Sequence, residues 1–459
     1  MSKTLETFLS DSEIKTFDAN YRKTIEHNVV QYDKKVIEGK EQFSNIELAK
    51  KRAAYIKNKS IENLDKYLIE FESNFIKRGG KVIWAQDAEE AIKESLEIIH
   101  KAQAKSLVKT KSMVSEEIFL KEALKKNDIE AIETDLGEYI LQLRNEHSYH
   151  SVTPAIHLSK EDVAKTFNEI KGTPLDWDPQ QITAFVRHEL REKYSKADIG
   201  LSGANFLIAD IGAVAITENE GNGMMSTAFP KVHIAIVGIE KIIPSLSDLD
   251  LFWPLLSTYG TGQSLTAYNS IYTGPKQQEE ADGPNEMYVI LLDNGRSRLL
   301  AKVEQRQALS CIGCGACSSV CPVYQTIGGQ SYGSTYSGPI GSIITPHLKG
   351  MDEFKHLSYA STLCGKCTEV CPVKIDIHKL LLLNRRDSIQ EKLVTKTDNW
   401  MWHFWKKAML KRSKMDKGGA KWKNFMIKQF FKKSWGSRRD LPQIAPKAFN
   451  QIWKERKEG

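Results

Sequence analysis

The 459-residue chain has no cysteine outside residues 311–371, and within that stretch it has seven. A disulfide framework elsewhere is therefore excluded, and thiols crowded into one segment fit metal binding in a reducing, cytoplasmic setting. Long apolar runs are missing too: "FLIADIGAVAI" and "VHIAIVGIE" are strand-sized, far short of a membrane span. The N-terminal "MSKTLETFLSDSEIK" lacks a basic-then-apolar layout, so no secretory signal is expected. No Gly-x-Gly-x-x-Gly links a strand to a helix, which removes the usual nucleotide and flavin fingerprint. Nucleophile-elbow and Walker motifs are absent as well.

Charge is unevenly spread. From Lys396 onward the chain carries 18 Lys and Arg against 5 Asp and Glu, so the net charge of +7 belongs to the tail and the rest is net acidic. Six of the nine tryptophans lie in that tail, interleaved with lysine in "NWMWHFWKKAMLKR" and "KWKNFMIKQFFKKSW". Aromatic residues beside a basic face suit an anionic membrane surface, here the inner face, or an acidic partner. Helices packing their aromatics inward are the plainer reading. No RNA- or DNA-binding module accompanies the basic residues, so nucleic acid is not expected as a partner.

At this length more than one domain is expected. Residues 1–60 are polar and helix-prone. From about 60 to 300, strands such as "KVIWA", "SLVKTKS" and "IEAIETD" alternate with helices such as "DAEEAIKESLEIIHKA" and "EEIFLKEALKKN". A helical stretch over 160–195 is followed by the strands "NFLIAD", "AVAITE", "HIAIVGIE" and "EMYVILLD". That alternation predicts an α/β domain with a parallel sheet, the N-terminal helices packed on it. A cysteine-bearing domain over 301–385 and a tail over 386–459 complete the chain.

The cysteine segment reads "CIGCGACSSVCPV" at 311–323 and "STLCGKCTEVCPV" at 361–373. Aligned by column, Cys314, Cys317 and Cys321 match Cys364, Cys367 and Cys371, while Cys311 falls opposite Ser361. The first run is C-x2-C-x2-C-x3-C-P, the spacing of two-cluster ferredoxins, whose fourth cysteine serves the other cluster. By that crossed logic Cys311, Cys314, Cys317 and Cys371 hold a [4Fe–4S] cluster. Cys321, Cys364 and Cys367 hold a second, [4Fe–4S] or [3Fe–4S], with Ser361, solvent, His356, His378 or Asp376 open as its fourth ligand. Zinc ribbons use separated cysteine pairs and fit this spacing poorly. Clusters of purely structural use are the other competing reading.

Elsewhere "ENEGNG" (218–223) and "DNGR" (293–296) follow predicted strands, where open α/β sheets bind ligands, though both also read as ordinary turns. His147, His150 and His157 show no metal-binding spacing, and none is assigned. The Gly-rich 328–342 lacks a phosphate-loop ending, and its amides could instead bond cluster sulfurs.

"GANFLIADIGAVAITENEGNG", "HIAIVGIEKIIP", "DGPNEMYVILLDNGRSRLLA", the two cysteine runs, "GGQSYG" and "SGPIGSIITP" together resemble the LutB/YkgF family over about residues 60–390. These are the iron–sulfur proteins of bacterial L-lactate utilization. The resemblance implies a LUD domain, related to the ribose-phosphate isomerase and CoA-transferase-like α/β fold, followed by a mostly helical two-cluster ferredoxin-type domain. It implies electron transfer, beside partner subunits, in oxidation of L-lactate to pyruvate. Catalytic residues stay unassigned, and whether the chain is itself an enzyme is open. The alternative is a small-molecule enzyme whose α/β domain is catalytic and whose clusters are regulatory or structural.

Overall fold

The computed structural model describes residues 2–415, 417–435 and 440–458. It has two compact units, residues 1–388 and 389–459. The first opens with four helices, α1 (Lys3–Phe17), α2 (Ala19–Lys40), α3 (Ile46–Glu62) and α4 (Leu64–Lys77). Ser2, Asp18 and Asn45 cap the first three, each accepting a backbone N–H of the first turn.

Ten strands follow: β1 (Lys81–Ala85), β2 (Ser106–Lys109), β3 (Glu130–Glu133), β4 (Ile199–Ser202), β5 (Phe206–Ile208), β6 (Ala213–Glu218), β7 (Val232–Gly238), β8 (Ile242–Ile243), β9 (Tyr268–Tyr272) and β10 (Glu286–Leu292). Six make a sheet in the order β1-β10-β7-β4-β2-β3, parallel throughout. A parallel sheet is covered on both faces, and β7 shows how: Ile234 and Ile236 face one core, Ala235 and Val237 the other. The first core is closed by the helix Ala88–Lys101, through Ala91, Ile98 and Ile99. The second is closed by Phe71 and Phe75 of α4 and by a smaller sheet, β8-β5-β6-β9.

The smaller sheet differs from expectation. "NFLIAD" and "AVAITE" do not enter the parallel sheet; they pair antiparallel with each other. Both faces of their pair are apolar. Leu207, Val214 and Ile242 face the large sheet, while Phe206, Ile208, Ala213, Ala215 and Ile243 face the cysteine-bearing segment. That segment is helical, as expected, and its Leu309, Ile312, Ile343 and Leu380 pack on the same core. The small sheet is thus a shared wall.

Three further expectations are corrected. The helix read over 116–127 breaks at Phe119, whose backbone is left-handed (φ 55°), into Met113–Glu117 and Leu120–Lys126. The stretch 160–195 is two helices, Lys160–Lys171 and Pro179–Lys196, parted after Gly172. The N-terminal helices do not pack on the α/β part alone. Phe8 of α1 packs on Tyr332 and His356, and Tyr21 and Ile25 of α2 join a core with Cys321 and Tyr324.

The second unit holds helices Lys396–Met409, Arg412–Met415, Ala420–Trp435 and Phe449–Glu458. Trp400, Trp402, Phe404 and Trp405 are exposed. No helix among the described residues is long and apolar enough to cross a membrane.

Candidate functional site: two thiol groups and a shared cavity

The two cysteine runs are built on one backbone. Gly315 and Gly365 both take left-handed φ (72° and 83°) and open the short helices Ala316–Ser319 and Lys366–Val370. Two residues earlier Gly313 (φ 78°) and Leu363 (φ 54°) share that handedness, although only the first is glycine. At the head of each run the same hydrogen bond recurs. The Gly313 amide donates to Cys311 Sγ at 3.4 Å, and the Leu363 amide to Ser361 Oγ at 3.1 Å. Ser361 therefore stands in the seat of Cys311, with oxygen in place of sulfur.

The fold brings the seven thiols into two groups. The Cys314 and Cys317 thiols are pushed up by burial and then by neighbouring cysteines, Cys311 and Cys371 acting on both. Cys371 is raised to about 11 by burial, with Cys311 adding to it. Cys367 is likewise raised to about 11 by burial, but its sulfur neighbours are Cys321 and Cys364. Cys321 is raised by burial and by Cys364. Cys364 is exposed, and the Lys366 amide leads in lowering its thiol. Five of the seven are buried.

Buried thiols this close cannot all ionise unaided, so the set fits a cationic centre that holds them as thiolates. Among the described residues no three His, Cys, Asp or Glu side chains converge as the ligands of one metal ion would. A cubane asks for something different, one thiolate at each iron corner. The Ile340 amide, in the Gly-rich stretch, acts on Cys317.

Of the residues considered as a fourth ligand, His378 and His356 are engaged through Nδ1 and Asp376 through Oδ2. His378 Nδ1 lies 2.8 Å from Thr368 Oγ1 and 3.1 Å from Asp376 Oδ1. Asp376 also pairs with Lys379 at 2.6 Å. His356 Nδ1 is 3.1 Å from the Glu353 carbonyl, its ring between Phe8 and Phe354. His147, His150 and His157 do not form a set. His157 pairs with Glu146 at 3.0 Å, and His150 Nδ1 accepts the Val152 and Thr153 amides.

Cys311, Cys314, Cys317 and Cys371 form one wall of a cavity of about 480 Å³. Its other walls come from the carboxyl ends of the parallel strands, Lys111 after β2, Asp135 after β3, Gly203 after β4, Glu240 after β7 and Arg296 after β10. Glu218, Asn219, Glu220 and Asn222, from "ENEGNG", line it as well. Glu220 accepts the Leu136 amide at 2.9 Å; burial of its carboxyl, with Asp135 beside it, raises it to about 7. Glu218 Oε1 accepts the Met224 amide at 3.0 Å, and its Oε2 is buried without a partner. Arg296, from "DNGR", is a buried tie between Glu117 (2.7 Å) and Glu240 (2.6 Å). Sequence reasoning passed over Lys57 and Lys241. A lysine in a polar helix or after a strand carries no local sign of burial, and only tertiary packing places these two beside Cys311.

A LUD domain description matches residues 68–292, and a 4Fe-4S dicluster domain description matches 307–375. Lactate utilization protein B of Bacillus thuringiensis (strain Al Hakam) and that of Bacillus cereus (strain AH187) are each 46% identical over 336 residues, covering 73% of this chain and 71% of theirs. A crystal structure of a DUF162 family protein from Deinococcus radiodurans is 13% identical, covering 50% of this chain and 98% of that chain, with a TM-score of 0.26.

Proposed function

Since the chain belongs to the lactate utilization protein B family, we propose that it is the iron–sulfur electron-transfer subunit of an assembly that oxidises L-lactate to pyruvate. The observation that carries this reading is the grouping of seven cysteines into a set of four, three of them buried and Cys311 partly so, and a set of three that reaches the surface at Cys364. Cys311, Cys314, Cys317 and Cys371 would hold one [4Fe–4S] cluster. Cys321, Cys364 and Cys367 would hold a second, [4Fe–4S] or [3Fe–4S]. Such clusters, when bound, supply one-electron uptake and release.

The chain's own residues do the rest. The core around Cys314 and Cys317 buries three of the first set, Cys314, Cys317 and Cys371. The exposed Cys364 presents the second set to a partner. The two-electron step on lactate is assigned to partner subunits. In this reading the chain divides into 1–60, the LUD domain at 60–300, the cluster domain at 301–385 and a tail at 386–459. The tail's exposed tryptophans and lysines serve contact with an acidic partner or the membrane face.

The test is lactate-dependent reduction. The purified chain alone should reduce no dye with lactate, and should be reduced by lactate once its partners are added. Dye reduction by the chain alone overturns the assignment. A second reading, in which the α/β domain is itself catalytic, draws on the cavity beside Cys311. Glu220→Ala separates the two, because it leaves cluster reduction intact in the first and abolishes turnover in the second.

A further inference from the structure

Lys57 of α3 is fully buried, at 0% exposure. Its ammonium donates to the carbonyls of Glu240 (2.7 Å) and Ile242 (3.2 Å). No carboxylate lies within ion-pair distance of it among the described residues. Glu240, the nearest acid, is committed to Arg296 at 2.6 Å. Next to Glu240, Lys241 brings a second positive charge and reaches the Cys311 carbonyl at 3.4 Å. Burial draws the Lys57 ammonium down to about 7; Lys241 pushes the same way, and Glu240 and Cys311 oppose them. A buried ammonium without a counter-ion is strongly unfavourable, and removing or neutralising it is the usual outcome. A negative centre nearby would hold it in the charged form.

The surroundings identify that centre. Asn58, the next residue of α3, accepts a hydrogen bond from Ser310, which precedes Cys311, at 3.0 Å. Lys57 is therefore tied to Cys311 from both sides, through Asn58–Ser310 and through Glu240–Lys241. A third lysine, Lys50, also buried, donates to the Glu369 carbonyl at 2.9 Å, and its charge opposes the rise of the Cys371 thiol. Four thiolates are a net negative charge in an apolar core, and taking up an electron makes it more negative. Where screening is weak, fixed positive charges shift that equilibrium most.

We propose that Lys57, seconded by Lys241, is the built-in counter-charge of the cluster held by Cys311, Cys314, Cys317 and Cys371, and that it raises that cluster's reduction potential. This rests on the cluster assignment given above. At the second thiol group the lysine acting on Cys364 is Lys366, beside an exposed sulfur.

The experiment is a redox titration of the full-length, cluster-loaded chain, followed by paramagnetic resonance, with each cluster's midpoint read separately. Lys57→Gln and Lys57→Met should shift the four-cysteine cluster to lower potential, and Lys57→Arg should hold it near the wild-type value. The three-cysteine cluster is the internal reference and should not move. If Lys57 merely ties α3 to the 240–242 segment, Lys57→Gln lowers stability and leaves the midpoint unchanged, and the proposal fails. Should neither neutral Lys57 variant accumulate, Lys241→Gln, at a partly exposed side chain, carries the same expectation of a downward shift. An unmoved midpoint there overturns it. A wild-type chain lacking the four-cysteine signal would instead refute the cluster assignment.

Discussion

Gly315 and Gly365 open the same short helix in the two cysteine runs, yet their surroundings differ. A methyl group added at Gly315 would strike the His150 ring at 2.6 Å; at Gly365 it would meet nothing within 4 Å. The first run is the more closely packed, with Cys311 only partly buried and its inner side facing the cavity. Cys314 and Cys317 sit in the largest core, with the 149–153 loop and three lysines around it. The second run keeps the backbone but lies at the surface, with Cys364 exposed and Ser361 at its head. One scaffold has thus been used twice, once for a closed site and once for an accessible one. Electron exchange with a partner calls for the second kind, and storage away from solvent for the first.

The largest expected effect tests whether the two groups are independent. Cys314→Ala should abolish the four-cysteine cluster, taking about half the iron, while the three-cysteine signal persists. Loss of both signals would mean that the groups assemble as one. Next, air oxidation should convert the three-cysteine cluster to [3Fe–4S], since a serine oxygen is a harder, weaker ligand than a thiolate. Ser361→Cys should suppress that signal in paramagnetic resonance. Full retention of iron by the wild-type chain would instead point to a firm fourth ligand.

The closed-against-open contrast also has a pH signature. In cluster-free protein, Cys364 should be alkylated at neutral pH at least about tenfold faster than Cys314 or Cys317. The sign follows from the shifts: Cys364 is lowered and forms thiolate as pH rises sooner than a free thiol, while burial holds the other two protonated until higher pH. Peptide mapping after pulse labelling reads it, and equal rates would erase the distinction. The smallest effect is conformational. Gly365→Ala should cost about 1 kcal/mol for a side chain at positive φ, and Gly315→Ala roughly twice that or more, because the His150 ring must move. Denaturant melts of the two variants compare them, and equal losses would say that the first site is looser than its contacts imply.

The cysteine spacing was legible because cluster motifs are local and the chain writes them in register. So were most strands and helices, through their periodicity. What was hidden depends on partners far along the chain. A short apolar run such as Phe206–Ile208 does not say which sheet it joins, because a strand buried on both faces loses its alternation. Lys57 reads as a solvated lysine in a polar helix until carbonyls 183 and 185 residues away close over it. The cavity was half visible: "ENEGNG" sits after a strand, but nothing in its residues announces the cysteine wall opposite.

The small sheet that faces two cores has a consequence for how the chain is made. Cut near residue 300, the α/β part would keep its large sheet, and Phe252 would still pack on Phe206. The side of the Phe206, Ile208, Ala213, Ala215 and Ile243 core that meets the cysteine segment would be laid bare as a patch, the kind of surface that drives aggregation. During synthesis that patch exists until the cysteine segment emerges and folds over it. Burial keeps the cysteines of that segment protonated and neutral without metal, so the segment can close over the patch before any cluster forms. How quickly it closes would then set how much of the new chain is lost to aggregation.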